Sequence, residues 1–171
     1  MKLTKKEALE KIEELKQYID NLNREEEFIT INYTKIRQEL FEKYGVKPFQ
    51  IAKRKMRDDK GEVLCNINYF QAKEEAKKRG GRLPHIREML LLLEAYKEQN
   101  EEVDYRDKEF LGIEELSYDE DVCYEWVEAL EDVGLLRGGG WTYASNAGAF
   151  HLSVYSSSTG ASSGIGGRLV L

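Results

Sequence analysis

The chain has few of the residues that cross-link small secreted domains or bind metal ions. Two cysteines and two histidines occur among its 171 residues. Cys65 and Cys123 could pair, but two thiols form no disulfide framework, and so few histidines give no metal-ligand cluster. No apolar run is long enough to span a membrane, and the first residues lack the apolar core of a secretory signal. We therefore predict no cofactor, no metal site, no membrane insertion, and synthesis in a reducing cytoplasm.

Negative charge exceeds positive charge, with 32 Asp and Glu against 26 Lys and Arg. The net charge of -6 argues against nucleic acid as a partner, because affinity for phosphates comes mainly from cations. One local basic cluster is followed by two aspartates, and we interpret it as a solvated strand edge; it comprises Lys53, Arg54, Lys55 and Arg57. The acidic run 119–121 lacks the spacing of a calcium-binding EF-hand loop.

The last stretch of the chain lacks charge of one sign altogether. Residues 135–171 contain no carboxylate side chain and no lysine, in a chain of which 34% is charged. Phe150, Leu152 and Val154 alternate with polar residues there, which predicts a strand with one buried face. The remaining Tyr, Ser, Gly and Asn are typical of recognition surfaces, although an ordinary Ser/Gly-rich surface segment has the same composition.

The first residues predict a helix with an apolar seam. Thr4 and Glu7 form a capping box, and apolar residues then recur at heptad spacing, namely Ala8, Ile12, Leu15, Ile19 and Leu22. Such a helix either associates with a second copy or docks on its own domain. A short strand over residues 28–33 and a helix over residues 34–44, ended by Gly45, are expected to follow.

The middle of the chain predicts a hairpin and then two helices. An extended piece over residues 49–56, a turn over 58–61 and a second arm over 62–67 form the hairpin. Asn68 caps a helix to Arg79, with an apolar side of Phe70, Ala72 and Ala76. A second helix begins at His85, which we interpret as a capping or packing residue rather than a catalyst. Its expected apolar face consists of Ile86, Met89, Leu90, Leu93 and Tyr96.

Four short strings stand in a characteristic order. They are GGRLP at residues 80–84, YEWV at 124–127, LRGGGW at 136–141 and IGGRLVL at 165–171. Together they resemble the C-type lectin fold in its formylglycine-generating-enzyme form. The resemblance implies an α+β fold with two helices packed on small antiparallel sheets, occupying residues 46–171 after an N-terminal helical segment, 1–45. Two departures are Gly140 in place of Ser and Gly167 in place of an aromatic residue.

Within that group, the chain resembles the variable proteins of diversity-generating retroelements. In these, adenine-directed mutagenesis rewrites the segment between the last two strings and does not produce Lys, Glu, Gln, Met or Trp. Residues 142–164 contain none of the five. The resemblance implies a varied, ligand-binding set within this segment, comprising Thr142, Tyr143, Ser145, Asn146, His151, Ser153, Tyr155, Ser156, Ser157, Ser158, Ser162 and Ser163. Trp126, Trp141, Phe150, Leu152 and Ile165 are assigned to the fixed frame.

The predicted function is therefore non-enzymatic binding of a protein or cell-surface ligand, from a virion or another exposed particle surface. A lone arginine in an apolar strand needs a partner, so Arg168 is expected to contact a buried acceptor or carboxylate. Two alternatives stay open. An enzyme of the formylglycine-generating type would need two metal-binding thiols in the C-terminal half, which holds only Cys123. A structural protein would use the N-terminal helix to form a homo-oligomer.

Overall fold

The computed structural model describes residues 28–102, 109–114, 124–130, 133–138, 152–153 and 157–171. It also describes Lys6, Leu9, Lys11 and Ile12, which have helical backbone. Every structural statement below concerns these residues. No helix among them is long and apolar enough to cross a membrane.

Three helices and six strands make up the described fold, which is α+β as predicted. In chain order they are β1 (Phe28–Ile31), α1 (Gln38–Tyr44), β2 (Phe49–Lys55), α2 (Tyr69–Lys78), α3 (Ile86–Gln99), β3 (Tyr124–Leu130), β4 (Val133–Gly138), β5 (Leu152–Ser153) and β6 (Ile165–Val170). The strands form one sheet in the order β1-β2-β6-β3-β4-β5. Small antiparallel sheets were expected; the described strands instead form a single mixed sheet, because β3 and β6 pair in parallel.

The last strand joins the two halves of this sheet. The first residues of β6, from Ile165 to Gly167, pair with β3. Farther along, Arg168 and Val170 pair with β2 on the other side. All six residues of β6 are buried, as its apolar composition predicts. The strand that opens the predicted lectin-like region thus lies beside the strand that closes it.

Hydrophobic clusters cover both faces of the sheet. Successive strand residues point to opposite faces, and Ile51, Val127 and Val170 accordingly belong to one cluster, while their neighbours belong to another. The first cluster takes its helical residues from α1 and α3, and the second takes them from α2. The helices therefore lie on both sides, with α1 and α3 on one face and α2 on the other.

The helix ends follow local side-chain chemistry, and three predicted caps are confirmed. Gly45 ends α1 in the left-handed region at φ 63°, which glycine adopts without strain. Asn68 and Gln71 form a reciprocal capping box at the start of α2. His85 caps α3, where its Nδ1 accepts the N–H of Arg87 at 3.1 Å.

Helix α1 begins later than the predicted start at residue 34. Asn32 Oδ1 accepts the Thr34 N–H at 3.1 Å and the Thr34 hydroxyl at 2.7 Å. These bonds hold a turn where the sequence predicts the first helical residues, so α1 starts at Gln38. Side-chain acceptors of this kind compete locally with helix formation.

A surface ion pair connects α1 to α3. Lys43 Nζ lies 2.6 Å from Glu94 Oε2, and the Tyr44 hydroxyl donates to the same carboxylate. The bond from Lys43, followed by that from Tyr44, lowers the pKa of the Glu94 carboxyl below its ordinary value.

The buried faces of α2 and α3 differ from the predicted ones. Tyr69 is buried on α2 instead of Phe70, which is 44% exposed. Leu90 is 39% exposed on α3, whereas Leu91 and Leu92 are buried. In the run Met89–Leu93 every position is apolar, so periodicity along the sequence does not determine which side of the helix meets the sheet.

Two expectations for the region after α1 are wrong. Lys55 is 3% exposed rather than solvated, because β2 lies between β1 and β6 inside the sheet. Arg54 is exposed as expected and pairs with Glu114 at 2.6 Å. The predicted turn over residues 58–61 forms, and the Asp58 and Leu64 N–H groups donate to the Glu62 and Met56 carbonyls, each at 2.8 Å. The arm over residues 62–67 is nevertheless no strand, because its pairing there is an isolated bridge from Arg57 to Val63.

Candidate functional site

Charged residues from three of the sequence strings meet at one buried cluster. Glu125 of the YEWV string accepts a hydrogen bond from Arg137 of LRGGGW on Oε1. Its Oε2 accepts a hydrogen bond from Arg168 of IGGRLVL at 3.1 Å. The three residues are at most 2% exposed. The prediction that Arg168 contacts a buried carboxylate is confirmed. We call this group the Glu125 cluster.

Arg168 also binds main-chain oxygens. Its Nη1 donates to the carbonyls of Ala52 at 3.0 Å and Lys53 at 2.7 Å. Its Nη2 donates to the carbonyl of Glu114 at 2.8 Å. Hydrogen bonds from a charged donor are stronger than neutral ones, so one guanidinium links β6 to β2, β3 and the piece 109–114.

The two arginines of the Glu125 cluster are like charges close to each other. Burial, together with the charge of Arg168, lowers the pKa of the Arg137 guanidinium well below its ordinary value. The carboxylate of Glu125 lies between the two and compensates them. Breaking a buried ion pair is strongly unfavourable, even where forming it adds little net stability. The cluster therefore holds β3, β4 and β6 in one arrangement.

The stretch that contains the predicted ligand-binding segment begins and ends beside the same residue. Gly138, the last residue of β4, pairs with Tyr124, and Ile165, the first residue of β6, pairs with Tyr124 from the other side. The Tyr124 N–H also donates to the Gly164 carbonyl at 2.9 Å. Neighbouring strands lie about 4.8 Å apart, so the two ends of the excursion 139–164 are about 10 Å apart.

A short edge strand within this excursion covers β4. In β5, Leu152 pairs with Arg137 and Ser153 pairs with Leu136. Leu152 packs against the first hydrophobic cluster, as expected for a frame residue. Ser153 is half-buried and lies on the opposite face, beside Leu136.

The end of the excursion, residues 157–164, is a pair of tight turns. The Gly160 N–H donates to the Ser157 carbonyl at 2.8 Å, and the Ile165 N–H donates to the Ser162 carbonyl at 3.0 Å. Ser157, Ser162 and Ser163 are exposed. Three of the predicted ligand-binding residues are therefore available to solvent in this part of the segment.

Main-chain hydrogen bonds attach these turns to the region before α2. The Tyr69 N–H donates to the Ser158 carbonyl at 3.1 Å, and the Asn66 N–H donates to the Ser162 carbonyl at 3.0 Å. Asn66 has φ 57°, a left-handed conformation that Asn tolerates better than most residues. We call residues 66–69 the bracket, because they hold the segment at two points.

The bracket is in turn fixed to the sheet. Trp126 is fully buried, and its indole N–H donates to the Ile67 carbonyl at 2.9 Å. Its ring meets that of Tyr69 edge-on, with centroids 5.9 Å apart. The assignment of Trp126 to the frame is confirmed. Sequence reasoning missed the role of Asn66 and Tyr69, for which the only local signal was an Asn beside a helix cap.

The substitution of glycine for an aromatic residue at position 167 has a steric explanation. A Cβ atom at Gly167 would lie 2.7 Å from Met56 Cε. The methionine side chain thus packs against the strand backbone at this position, and a larger residue would require Met56 to move. Gly167 pairs with Trp126 across the sheet.

Other predicted site and frame residues lie outside the described part of the chain, and the predictions for them stand as made. They are Thr142, Tyr143, Ser145, Asn146, His151, Tyr155 and Ser156, with Trp141, Phe150, Cys123 and the acidic run 119–121. Cys65 is a free, half-buried thiol. Among the described residues, no group of three or more His, Cys, Asp and Glu is placed to hold a metal ion.

A separate cleft of about 390 Å³ lies beside the start of α3. Lys47, Arg82, Arg87, Glu88 and Glu128 line it with mixed charge. Arg82 and Glu88 already pair with each other at 2.8 Å. The cleft is lined by Glu128, near the end of β3. The stretch 139–164 instead begins and ends beside Tyr124, the first residue of that strand.

The chain matches no protein-family model and no curated protein. Among solved structures it is similar to one titled "Major Tropism Determinant M1 Variant", with a TM-score of 0.47 and 15% sequence identity. The match covers 76% of this chain and 46% of that one, so this chain spans about half the length of its neighbour. A similarity of this size assigns neither a family nor a function.

Proposed function

We propose that this chain is a non-enzymatic binding protein with a C-type lectin fold over residues 46–171, in its formylglycine-generating-enzyme-like branch. Its segment 142–164 is varied by a retroelement through adenine-directed mutagenesis. The segment recognises a protein or cell-surface ligand from a virion or another exposed particle surface. One observation carries the proposal: main-chain hydrogen bonds hold residues 157–164 in place while most of their side chains face solvent.

Main-chain anchoring suits a segment whose side chains change. The bonds from Tyr69 and Asn66 end on carbonyl oxygens of Ser158 and Ser162, and every residue type supplies such an oxygen. Exposed substitutions away from special contacts usually change stability by about 0.5 kcal/mol or less. Replacing the exposed Ser163 therefore alters the surface and leaves both main-chain bonds in place. The Ser157 and Ser162 hydroxyls also accept the Thr159 and Gly164 N–H groups within the exposed turns, at 3.3 Å and 3.1 Å.

The flanks of the segment support the same interpretation. Gly138 and Ile165 both pair with Tyr124, the residue before Glu125. The buried Glu125 cluster stabilises the strand pairing at this point. A rigid base limits the conformational entropy lost when a ligand binds, which favours affinity. A changed segment thus remains attached to an unchanged domain.

The nucleotide sequence around the coding region tests the retroelement directly. We expect a near-duplicate of the stretch that encodes residues 142–164, differing chiefly at adenines, beside a reverse transcriptase gene. A locus with neither the duplicate nor the reverse transcriptase would contradict diversification by this route.

The binding role is tested with a double substitution, Tyr143→Ala and Tyr155→Ala. A ligand is first isolated by panning the purified protein against a displayed protein library. Because aromatic hot spots each contribute about 2 kcal/mol, we expect affinity to fall at least about a hundredfold, with the melting temperature shifting by about 2 °C or less. Tyr33→Ala is the matched control, since Tyr33 is 53% exposed and lies outside the segment. A large loss of stability would instead assign the two tyrosines to the core.

We propose in addition that the N-terminal helix assembles copies of the chain. Leu9 and Ile12 are 58% and 49% exposed, and Ile12 belongs to the predicted heptad seam. Multiple copies raise avidity without new contacts. Deleting residues 1–23 is expected to convert an oligomer into a monomer in light scattering; an unchanged mass would contradict this role.

A further inference from the structure

One serine of the segment has a hydroxyl that bonds to a strand of the sheet. The hydroxyls of Ser157 and Ser162 instead accept N–H groups within their own turns, from Thr159 at 3.3 Å and from Gly164 at 3.1 Å. Ser158 is half-buried, whereas Ser157 and Ser163 are exposed. The Ser158 carbonyl accepts the Tyr69 N–H at 3.1 Å, and its hydroxyl oxygen accepts the Gly134 N–H at 3.4 Å. Both of its polar groups are thus directed toward the protein.

The bond to Tyr69 completes the start of α2. The first N–H groups of a helix have no acceptor within that helix. The Asn68 side chain accepts from the Gln71 N–H, and the Ser158 carbonyl accepts from Tyr69, the first helical residue. The segment therefore contributes to the cap of α2, and a displaced segment would leave a helical donor unsatisfied.

The bond to Gly134 covers the edge of β4. Among the residues that the structure describes, β5 pairs with β4 at Leu136 and Arg137, and the Ser158 hydroxyl supplies an acceptor farther along β4, at Gly134. Gly134 also accommodates the Tyr69 ring, because a Cβ there would lie 2.2 Å from Tyr69 Cδ2. At this point the segment, α2 and β4 are in mutual contact.

We infer that Ser158 is a positioning residue of the ligand-binding segment. It fixes the position of its exposed neighbours relative to α2 and β4, and the bond from its hydroxyl to Gly134 is required for that role. The inference rests on the proposed function for the meaning of the displayed surface, and it revises the expectation that Ser158 itself contacts ligand. Ser157, Ser162 and Ser163 are exposed and remain the positions of these turns that can contact a ligand.

Amide hydrogen exchange in the full chain, followed by NMR without any ligand, tests the inference. In Ser158→Ala we expect the Gly134 amide to exchange about fivefold faster, as for loss of one net hydrogen bond. Ser158→Thr keeps the hydroxyl and is expected to restore the slow rate. Ser163→Ala is the matched control and is expected to exchange like the parent chain. An unchanged Gly134 rate in Ser158→Ala, or the same acceleration in Ser163→Ala, would overturn the role.

A second measurement does not depend on a single variant. Positions 157, 158 and 163 are randomised together, and folded clones are recovered by protease resistance. We expect Ser and Thr to dominate at position 158 and all residue types to occur at 157 and 163. An even distribution at 158 would contradict the inference. Neither measurement uses a ligand, so failure of the proposed binding function would leave these results as they are.

Discussion

The substitution Glu125→Ala tests whether the Glu125 cluster stabilises the sheet that carries the segment. The carboxylate accepts bonds from Arg137 and Arg168, and all three side chains are at most 2% exposed. Truncating Glu125 leaves two buried guanidinium groups without this acceptor.

The expected loss follows from the number of charges involved. Removing one partner of a buried ion pair lowers the free energy of unfolding by about 3–5 kcal/mol. Because this carboxylate compensates two cations, we expect the upper end, about 5 kcal/mol. For a chain of 171 residues, each kcal/mol corresponds to about 2–4 °C. The melting temperature should therefore fall by about 10–20 °C.

Urea unfolding, followed by tryptophan fluorescence, to which the buried Trp126 contributes, measures the change. Glu74→Ala is the matched control, because Glu74 pairs with Lys78 on the surface and its side chain is 68% exposed. Exposed pairs of this kind contribute about 0–1 kcal/mol. Glu125→Gln keeps the shape and one acceptor oxygen, and is expected to lie between the parent chain and Glu125→Ala. A loss below about 1 kcal/mol in Glu125→Ala would refute the reasoning.

Two further predictions concern packing and pH. Gly134→Ala should destabilise the fold by about 1–3 kcal/mol through overpacking, since the new Cβ would meet the Tyr69 ring at 2.2 Å; an unchanged urea midpoint would contradict it. The pKa of Glu94 is lowered in the folded state, so its contribution is present above the unfolded pKa of about 4.3 and is lost as pH falls toward the folded value. Glu94→Gln should therefore be less stable than the parent chain at pH 7, with the gap closing in acid. Parallel stability curves for the two proteins from pH 7 to pH 2 would be inconsistent with this assignment.

Features set by neighbouring residues could be predicted from the sequence. The Asn68 and His85 caps and the Gly45 stop depend on side chains or glycine within a few positions of the helix end. Arg168 also belongs here, since burying a guanidinium requires an acceptor whatever the surrounding fold. These predictions needed no knowledge of which elements meet in space.

Features set by distant partners could not be predicted. Lys55 is buried because β6, more than a hundred residues later, pairs beside it. Phe70 and Tyr69 are adjacent aromatic residues, and only the position of Gly134 and Trp126 determines which of the two is buried. The parallel pairing of β3 with β6 likewise depends on a contact that no local pattern encodes.

Parts of the candidate site could likewise be predicted from neighbouring residues, and other parts depend on distant ones. The limits of the segment and its lack of charged residues are visible in the sequence. Its attachment to the bracket is not, because Asn66 and Tyr69 act through main-chain N–H groups that every non-proline residue has. For the same reason, the distinct position of Ser158 among its neighbouring serines was not evident.

The pairing of Tyr124 with both Gly138 and Ile165 has a consequence for loop grafting. Since the two attachment points are about 10 Å apart, peptides of many lengths can bridge them. The entropy of closing a flexible loop grows slowly, by about 0.6 kcal/mol for each doubling of length. Foreign inserts placed before Ser157, which keep the bonds of Ser158 and Ser162 to the bracket, should accordingly be accepted at lengths other than the native one, so the domain is a scaffold for changes in size as well as in composition.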